Sequence, residues 1–152
     1  MVVEKGRQIN DFTLMDQNEN EVSLSDFNGK KVLLSFHPLA FTSVCAKQMQ
    51  ALDDNYERFE KLNTVPLGIS VDAQPSKTAW AETLGLKNLQ ILADFHPKGK
   101  LAKELGVYIE EEGFSGRANI IIDEKGEVIW TKVYELSQLP DVEEVISAVK
   151  DV

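Results

Sequence analysis

Cysteine and histidine, the residues that build most metal and redox centres, are nearly absent from this sequence. Its 152 residues include one cysteine, Cys45, and two histidines, His37 and His96. A single cysteine excludes an intrachain disulfide, a CxxC redox pair and a cysteine-based zinc site. Two histidines far apart in the chain also argue against a histidine-rich metal centre. We therefore expect no metal and no other cofactor.

Long apolar runs and an excess of basic charge are also missing. No stretch approaches the ~18 apolar residues that a membrane-spanning helix needs. The start, MVVEKGRQIN, lacks the apolar core and small-residue cleavage site of a secretory signal. The chain carries 25 acidic against 16 scattered basic side chains, a formal net charge of −9, whereas binding to nucleic acid needs a basic surface. We expect a cytoplasmic protein that binds neither membranes nor nucleic acids.

The remaining composition, 43% hydrophobic and 27% charged, is ordinary for a globular protein. No linker or repeat interrupts the chain, so we expect one domain over residues 1–152. Apolar periodicity and turn residues predict, in chain order, a hairpin over 11–24, a strand over 30–38, a helix from Cys45 to Leu62 and a strand over 65–71. They then predict a helix over 76–84 with Gly85 just past its end, a strand over 88–95, a short helix from 98 that Gly106 closes, a hairpin over 117–135 and a helix over 139–150. This order indicates an α/β fold with a central mixed sheet, helices on both faces and an N-terminal hairpin.

The only cysteine lies where a buried strand gives way to a helix. The stretch HPLAFTSVC, residues 37–45, ends the strand at Pro38 and begins the helix near Cys45. Ligands of α/β proteins bind beyond the carboxyl ends of the strands, and the unpaired N–H groups at a helix start favour an anion such as a thiolate. The position therefore predicts a reactive thiol at the mouth of the sheet.

A helix start alone does not provide enough positive charge for a thiolate. An ordinary thiol, with a pKa of ~8.5, needs roughly 3 kcal/mol of preferential stabilisation to be mostly ionised at pH 7, and a helix start provides ~0.3–1 kcal/mol, at most ~2. We expect the second positive group to be Arg117, which opens an apolar strand after the segment EEGFSG, predicted to be flexible. Thr42 offers a hydroxyl to the anion or to a substrate, and Pro38, which lacks an N–H, shields the site from water.

Three motifs resemble the peroxiredoxins of the alkyl hydroperoxide reductase/thiol-specific antioxidant type. PLAFTSVC has their P-x-x-x-T-x-x-C signature at Pro38, Thr42 and Cys45. GISVDAQPSKTAWAE, with Trp80, is similar to the segment after their second central strand, and FSGRANIIIDEKGEVIW is similar to the stretch that carries their essential arginine, here Arg117. PLAFTSVC together with KTAWAE looks closest to the one-cysteine alkyl hydroperoxide reductase E group.

The resemblance implies a thioredoxin-like fold and the reduction of hydrogen peroxide or organic hydroperoxides. Cys45 would be the peroxidatic nucleophile and would pass through a sulfenic acid. Two positions depart from common relatives, because Gln50 stands where some carry a second cysteine and Gln48 where many carry glutamate. Without a second thiol, the sulfenic acid needs an external one, from a thioredoxin-, glutaredoxin- or mycoredoxin-like protein or a small thiol. A homodimer is expected from the resemblance alone.

Each residue also has a purely structural alternative. The alternatives are an inert core thiol for Cys45, a helix cap for Thr42, a strand end for Pro38, a salt bridge to Glu110, Glu111 or Glu112 for Arg117, helix packing for Trp80 and a hydrogen bond to backbone for Gln48. For His37, three interpretations stay open: it is a general base, it is buried in the core, or it points toward the far face of the sheet. His96 is expected to be a solvated turn residue.

Two other functions compete with the peroxidase. One is a thiol–disulfide oxidoreductase on the same fold, which the missing CxxC motif weakens. The other is a peroxide sensor or partner-binding module, in which oxidation of Cys45 changes an interface. Catalytic turnover with a reductant distinguishes a peroxidase from a sensor, which is oxidised only stoichiometrically.

Overall fold

The computed structural model describes residues 1–152, which fold around one mixed sheet of seven strands. The strands of the chain are Thr13–Met15 (β1), Glu21–Ser23 (β2), Lys31–Phe36 (β3), Thr64–Ser70 (β4), Gln90–Ala93 (β5), Tyr108–Ile109 (β6), Phe114–Ser115 (β7), Arg117–Ile122 (β8) and Val128–Tyr134 (β9). The sheet order is β2-β1-β5-β4-β3-β8-β9, and β6 and β7 form a separate small hairpin. Strands β3, β4 and β5 are parallel, and every other pairing is antiparallel.

Five α-helices and one 3₁₀ helix complete the fold. They are Ser43–Asp54 (α1), Tyr56–Glu60 (α2), Gln74–Leu84 (α3), Lys100–Glu104 (α4) and Val142–Asp151 (α5), with the 3₁₀ helix at Leu24–Phe27. None of the helices is both long enough and apolar enough to cross a lipid bilayer. The predicted mixed sheet, flanked by helices and preceded by an N-terminal hairpin, is confirmed.

The helix predicted from Cys45 to Leu62 is wrong in its length. The structure has α1 and α2 instead, separated at Asn55. The Asn55 backbone (φ −105°, ψ 14°) leaves the helical region, and its side-chain amide donates to the carbonyl of Ala51 at 2.8 Å. An asparagine side chain competes in this way with the backbone hydrogen bonds of a helix, so the apolar spacing continues across a break.

Two further predictions need correction. The last helix begins at Val142 rather than near Leu139, because Asp141 caps it by accepting from the backbone N–H of Glu143 at 2.9 Å. Leu139, predicted on its buried side, therefore lies outside the helix and is exposed. The segment predicted to be flexible before Arg117 contains β7, whose Ser115 is buried and donates to the carbonyl of His37 at 3.1 Å.

The sheet separates two apolar layers. Helices α1, α2, α3 and α5 cover one face and pack on inward side chains that include Leu33, Ile91 and Ile121. The N-terminal segment and α4 cover the other face, where Leu34, Ile69 and Ile120 are buried. Gly68 of β4 lets α1 approach closely, since a Cβ at this position would collide with the side chain of Met49.

The register of the sheet determines where distant residues meet. Strand β8 runs antiparallel to β3 and pairs Ala118 with Phe36. The start of β8, at Arg117, therefore lies beside the end of β3 and the loop that leads to α1. This edge, where the parallel strands also end, is the place at which the fold assembles polar side chains.

Candidate active site

Cys45 lies in the first turn of α1. Strand β3 ends at Phe36, the loop over residues 37–42 crosses the sheet edge, and α1 begins at Ser43. The thiol is free and its side chain has no exposed surface. A first-turn side chain is close to backbone N–H groups that have no partner within the helix, so the local field favours negative charge on the sulfur.

Arg117 brings a guanidinium group to this thiol from the start of β8. Its Nη1 donates to Cys45 Sγ at 3.4 Å and to Gln48 Oε1 at 2.6 Å. Its Nε and Nη2 donate to the carbonyl oxygen of Leu136 at 3.1 and 2.8 Å. The residue is only 3% exposed, so solvent screens its charge weakly. The structural alternative, a salt bridge from Arg117 to Glu110–Glu112, is not formed.

Gln48 holds Arg117 in place and fixes it to the sheet. Its Oε1 accepts from Arg117, while its Nε2 donates to Ser35 Oγ at 2.7 Å and to the carbonyl of Phe36 at 3.2 Å. The expected hydrogen bond to backbone is therefore present, but the contact with Arg117 was missed. The spacing contained a signal for it, because Cys45 and Gln48 are three residues apart and share one helix face.

Removing the amide of Gln48 should loosen Arg117 and slow the reaction of the thiol with peroxide. We expect Gln48→Leu to lower the second-order rate of Cys45 oxidation by about fivefold, the loss of roughly one hydrogen bond. Stopped-flow tryptophan fluorescence measures this rate. The matched control is Gln50→Leu, an exposed position on the same helix, which should leave the rate unchanged. Equal rates for both variants would show that Gln48 does not support Arg117.

A surface cavity of about 240 Å³ opens beside this cluster. Residues of the loop before α1, the first turn of α1, β7, the start of β8 and the segment after β9 line this cavity. They are Pro38, Leu39, Thr42, Ser43, Val44, Phe114, Arg117 and Leu136. A larger cavity of about 600 Å³ lies between α1, α2 and the end of α3, and neither Cys45 nor Arg117 lines it. The smaller cavity is therefore the one lined by Arg117, the residue that contacts the thiol.

Thr42 and Pro38 both lie on this cavity wall. The Thr42 hydroxyl donates to the carbonyl of Leu39 at 2.8 Å, and the residue is exposed. Thr42 is the residue before the first turn of α1, but its side chain makes no capping hydrogen bond, so the proposed helix cap is not formed. Pro38 is buried in the loop, two residues after β3 ends at Phe36. No group of three or more His, Cys, Asp or Glu side chains is placed to hold a metal ion.

The model of the AhpC/TSA family matches residues 5–131 of the chain. The chain belongs to the AhpC/TSA family. The chain is 35% identical over 132 residues to alkyl hydroperoxide reductase E of Mycobacterium tuberculosis, and the match covers 86% of each chain. It is 38% identical over 143 residues to peroxiredoxin-2 of Bos taurus, covering 90% of this chain and 71% of that one.

A solved peroxiredoxin structure has the same fold as this chain. The reduced 2-Cys peroxiredoxin of Plasmodium vivax superimposes with a TM-score of 0.87 at 30% sequence identity, over 99% of this chain and 81% of that one. The predicted resemblance to peroxiredoxins and the predicted thioredoxin-like fold are confirmed. The AhpC/TSA protein described here is accordingly an enzyme of the peroxiredoxin type.

Trp80 and His37 lie behind the loop that precedes α1. Trp80 is 1% exposed, and its ring is tilted against His37 at a centroid distance of 5.2 Å and against Phe41 at 6.3 Å. His37 points into the core, with no exposed surface, and makes no hydrogen bond to Cys45. Burial lowers the pKa of His37 well below its usual value, and the nearby charges of Lys77 and Arg117 lower it further. His96 is exposed in a turn, as predicted.

Sequence reasoning missed Lys77, which is completely buried on α3. Its Nζ lies 3.0 Å from His37 Nε2, donates to Ser70 Oγ and lies 5.5 Å from the centre of the Trp80 ring. Burial lowers the pKa of Lys77 to about 7, although the negative charges of Asp72 and Cys45 act in the opposite direction. The helical spacing contained a signal, because Lys77 is three residues before Trp80 and therefore shares its buried face.

Proposed function

We propose that this member of the AhpC/TSA family is a one-cysteine thiol peroxidase that reduces hydrogen peroxide, organic hydroperoxides or both through Cys45. One observation carries the proposal. The only thiol of the chain lies in the first turn of α1 with the buried guanidinium of Arg117 at 3.4 Å from its sulfur. A thiolate is the nucleophilic form of cysteine, and this arrangement favours it.

The first step transfers one peroxide oxygen to Cys45. The thiolate sulfur forms a bond to the near oxygen while the O–O bond breaks, and the electron pair of that bond leaves on the far oxygen. Sulfur is oxidised to a sulfenic acid, and the leaving oxygen takes a proton and departs as water or an alcohol. Negative charge moves from sulfur into the cavity, and Arg117 contacts both the sulfur and the cavity, so its N–H groups serve both ends of the reaction.

Access to the sulfur requires the cavity wall to move. Cys45 exposes no surface, so a peroxide in the adjacent cavity reaches it only when the loop or the first turn of α1 shifts. Thr42 lies on that wall, and rotation about one side-chain bond frees its hydroxyl from the Leu39 carbonyl to bind the peroxide. Pro38 contributes an apolar surface without an N–H group, which limits competing water. We assign these two residues a role in binding the peroxide.

The second half of the cycle needs thiols from outside the chain. A first external thiol attacks the sulfenic sulfur of Cys45, forms a mixed disulfide and releases water. A second external thiol then attacks that disulfide, which returns the Cys45 thiol and leaves the two external sulfurs joined. A dithiol protein of the thioredoxin, glutaredoxin or mycoredoxin kind supplies both, as do two molecules of a small thiol. A single domain, a homodimeric assembly and a cytoplasmic location also stay predictions.

The decisive experiment combines the oxidation rate of Cys45 with turnover. We expect hydrogen peroxide or cumene hydroperoxide to oxidise Cys45 at least about a thousandfold faster than it oxidises a small free thiol under the same conditions. Mass spectrometry identifies the sulfenic acid, and peroxide loss with a reduced thioredoxin, a glutaredoxin or dithiothreitol measures turnover.

The other outcomes identify the competing functions. Fast oxidation without turnover with any of these thiols would favour the peroxide sensor. Slow oxidation together with reduction of a model disulfide would favour the thiol–disulfide oxidoreductase. Slow oxidation with no disulfide reduction would leave the cluster at Cys45 without an enzymatic role and overturn the proposal.

A further inference from the structure

A second buried cation, Lys77, contacts the end of β4, which pairs with β3 on the side opposite to β8. The ammonium group of Lys77 has no exposed surface and no carboxylate in direct contact. Its hydrogen-bond partners are the neutral side chains of Ser70 and His37. Burying a cation without a paired anion costs several kcal/mol, so an anion nearby has a large effect on whether this lysine is charged.

Three titratable groups act on Lys77, and each comes from a different part of the fold. His37 follows β3, Asp72 follows β4, and Cys45 lies in the first turn of α1. Arg117, at the start of β8, acts on His37. Of these, only the Asp72 carboxylate and the Cys45 thiolate attract a proton to Lys77. Of the two, only Asp72 is also joined to Lys77 by hydrogen bonds, through Ser70.

Lys77 is also connected to the loop that leads to Cys45. Ser70 accepts from Lys77 and donates to Asp72 Oδ2. The same carboxylate oxygen accepts from the backbone N–H of Ala40 at 2.8 Å. Ala40 lies in the middle of the loop between β3 and α1, so a continuous chain of hydrogen bonds runs from the ammonium group to the backbone beside the cavity.

We propose that Lys77 is a positioning residue of the peroxide reaction, whose ammonium group, through Ser70 and Asp72, holds the loop before α1 in place. This inference rests on the proposed function, because it concerns the same thiol. It goes further by assigning the position of this loop to a buried side chain of α3. Unlike the guanidinium of Arg117, an ammonium group in a buried site is able to lose its proton near neutral pH.

The pH dependence of the reaction follows from this difference. A thiolate reacts faster than a thiol, so the oxidation of a cysteine generally accelerates as the pH increases. As the pH rises through the pKa of Lys77, about 7, the ammonium loses its proton and the charge that holds Ser70, Asp72 and the loop before α1 in place is lost. The rate should therefore pass through a maximum and fall on the alkaline side, whereas the guanidinium of Arg117 stays charged throughout.

The test measures the second-order rate of Cys45 oxidation by hydrogen peroxide from pH 5.5 to 9.5. We expect the wild-type rate to fall at least about threefold from its maximum to pH 9.5. Lys77→Met, close in size but uncharged, should be about tenfold slower at the wild-type maximum and show no alkaline fall. Lys47→Met removes an exposed lysine from α1 and should reproduce the wild-type profile. Alkylation of Cys45 by iodoacetamide gives a second readout, and the alkaline fall should be missing from its pH profile in Lys77→Met only.

A further variant keeps the inference testable if Lys77→Met does not fold. Ser70→Ala removes the hydroxyl that accepts from Lys77, which disfavours the charged ammonium, so the alkaline fall should move to lower pH. A wild-type rate without an alkaline fall, or wild-type rates and alkylation in Lys77→Met, would overturn the inference and leave the proposed peroxidase intact. A wild-type protein that reacts with peroxide like an ordinary thiol overturns the proposed function, and the role of Lys77 fails with it.

Discussion

Replacing Cys45 by serine is expected to abolish peroxide reduction, with a loss of at least about a thousandfold. A serine hydroxyl does not ionise in the working pH range, and an un-ionised oxygen does not attack a peroxide as a thiolate does. The chain has no other thiol, so no second site takes over. Peroxide consumption with dithiothreitol or a reduced thioredoxin as electron donor measures the loss.

The substitution is conservative enough to keep the fold. Serine is close to cysteine in shape, and its hydroxyl accepts from Arg117 Nη1 as the sulfur does. The matched control is Ala46→Ser, which introduces the same side chain one position later in α1 and should retain turnover. Peroxide reduction by purified Cys45→Ser at the wild-type rate would remove the thiol from the mechanism.

Replacing Arg117 by alanine has the second largest expected effect. We expect peroxide oxidation of Cys45 to slow by more than tenfold, at least ~1.4 kcal/mol of lost transition-state stabilisation. The variant loses the donor to Cys45 Sγ and the partner of Gln48, and it leaves the Leu136 carbonyl without its two donors. Alkylation by iodoacetamide at pH 7 should slow as well, because the sulfur loses its cationic donor.

Arg117→Lys separates the charge of this residue from its geometry. Lysine keeps one positive charge but lacks the planar set of donors that binds Leu136, Gln48 and Cys45 together. We expect its rate to lie between those of the wild type and Arg117→Ala. Arg58→Ala serves as the control, because Arg58 is an exposed arginine that pairs only with Asn55 and Glu143, and its loss should not change the rate.

The stability of each Arg117 variant must be measured alongside its rate. The Leu136 carbonyl and Gln48 lose hydrogen bonds to a charged donor, which costs about 1–3 kcal/mol of folding free energy each when the remaining group is buried. Urea unfolding followed by circular dichroism determines this loss. Wild-type oxidation rates in a folded Arg117→Ala protein would exclude Arg117 from the mechanism.

The local patterns of the sequence predicted most of the architecture. The hairpin over 117–135 turns at Lys125 and Gly126 as expected, since Gly126 adopts the positive φ that this turn requires. The strand, loop and helix around Cys45 also lie where the apolar pattern puts them. Such patterns report the period of one element and the residues that end it, and both are local properties of the chain.

Predictions failed where a short-range hydrogen bond or a pairing of very short strands decided the outcome. Asn55 divides a helix whose apolar spacing continues past it, and Asp141 starts a helix later than its apolar pattern suggests. Strands β6 and β7 have two residues each, too few to show any periodicity. The bounds of elements were therefore less predictable than their order.

By itself, the sequence determined that this protein has one thiol, that this thiol starts a helix after a buried strand, and that it carries the motifs of a peroxiredoxin. Only the tertiary structure decided which side chains surround the thiol. Arg117 reaches Cys45 because β8 pairs with β3 in one register, and Lys77 is buried because α3 packs its Trp80 face on the sheet. Register and packing depend on contacts between residues far apart in the chain, and a local pattern contains no information about them.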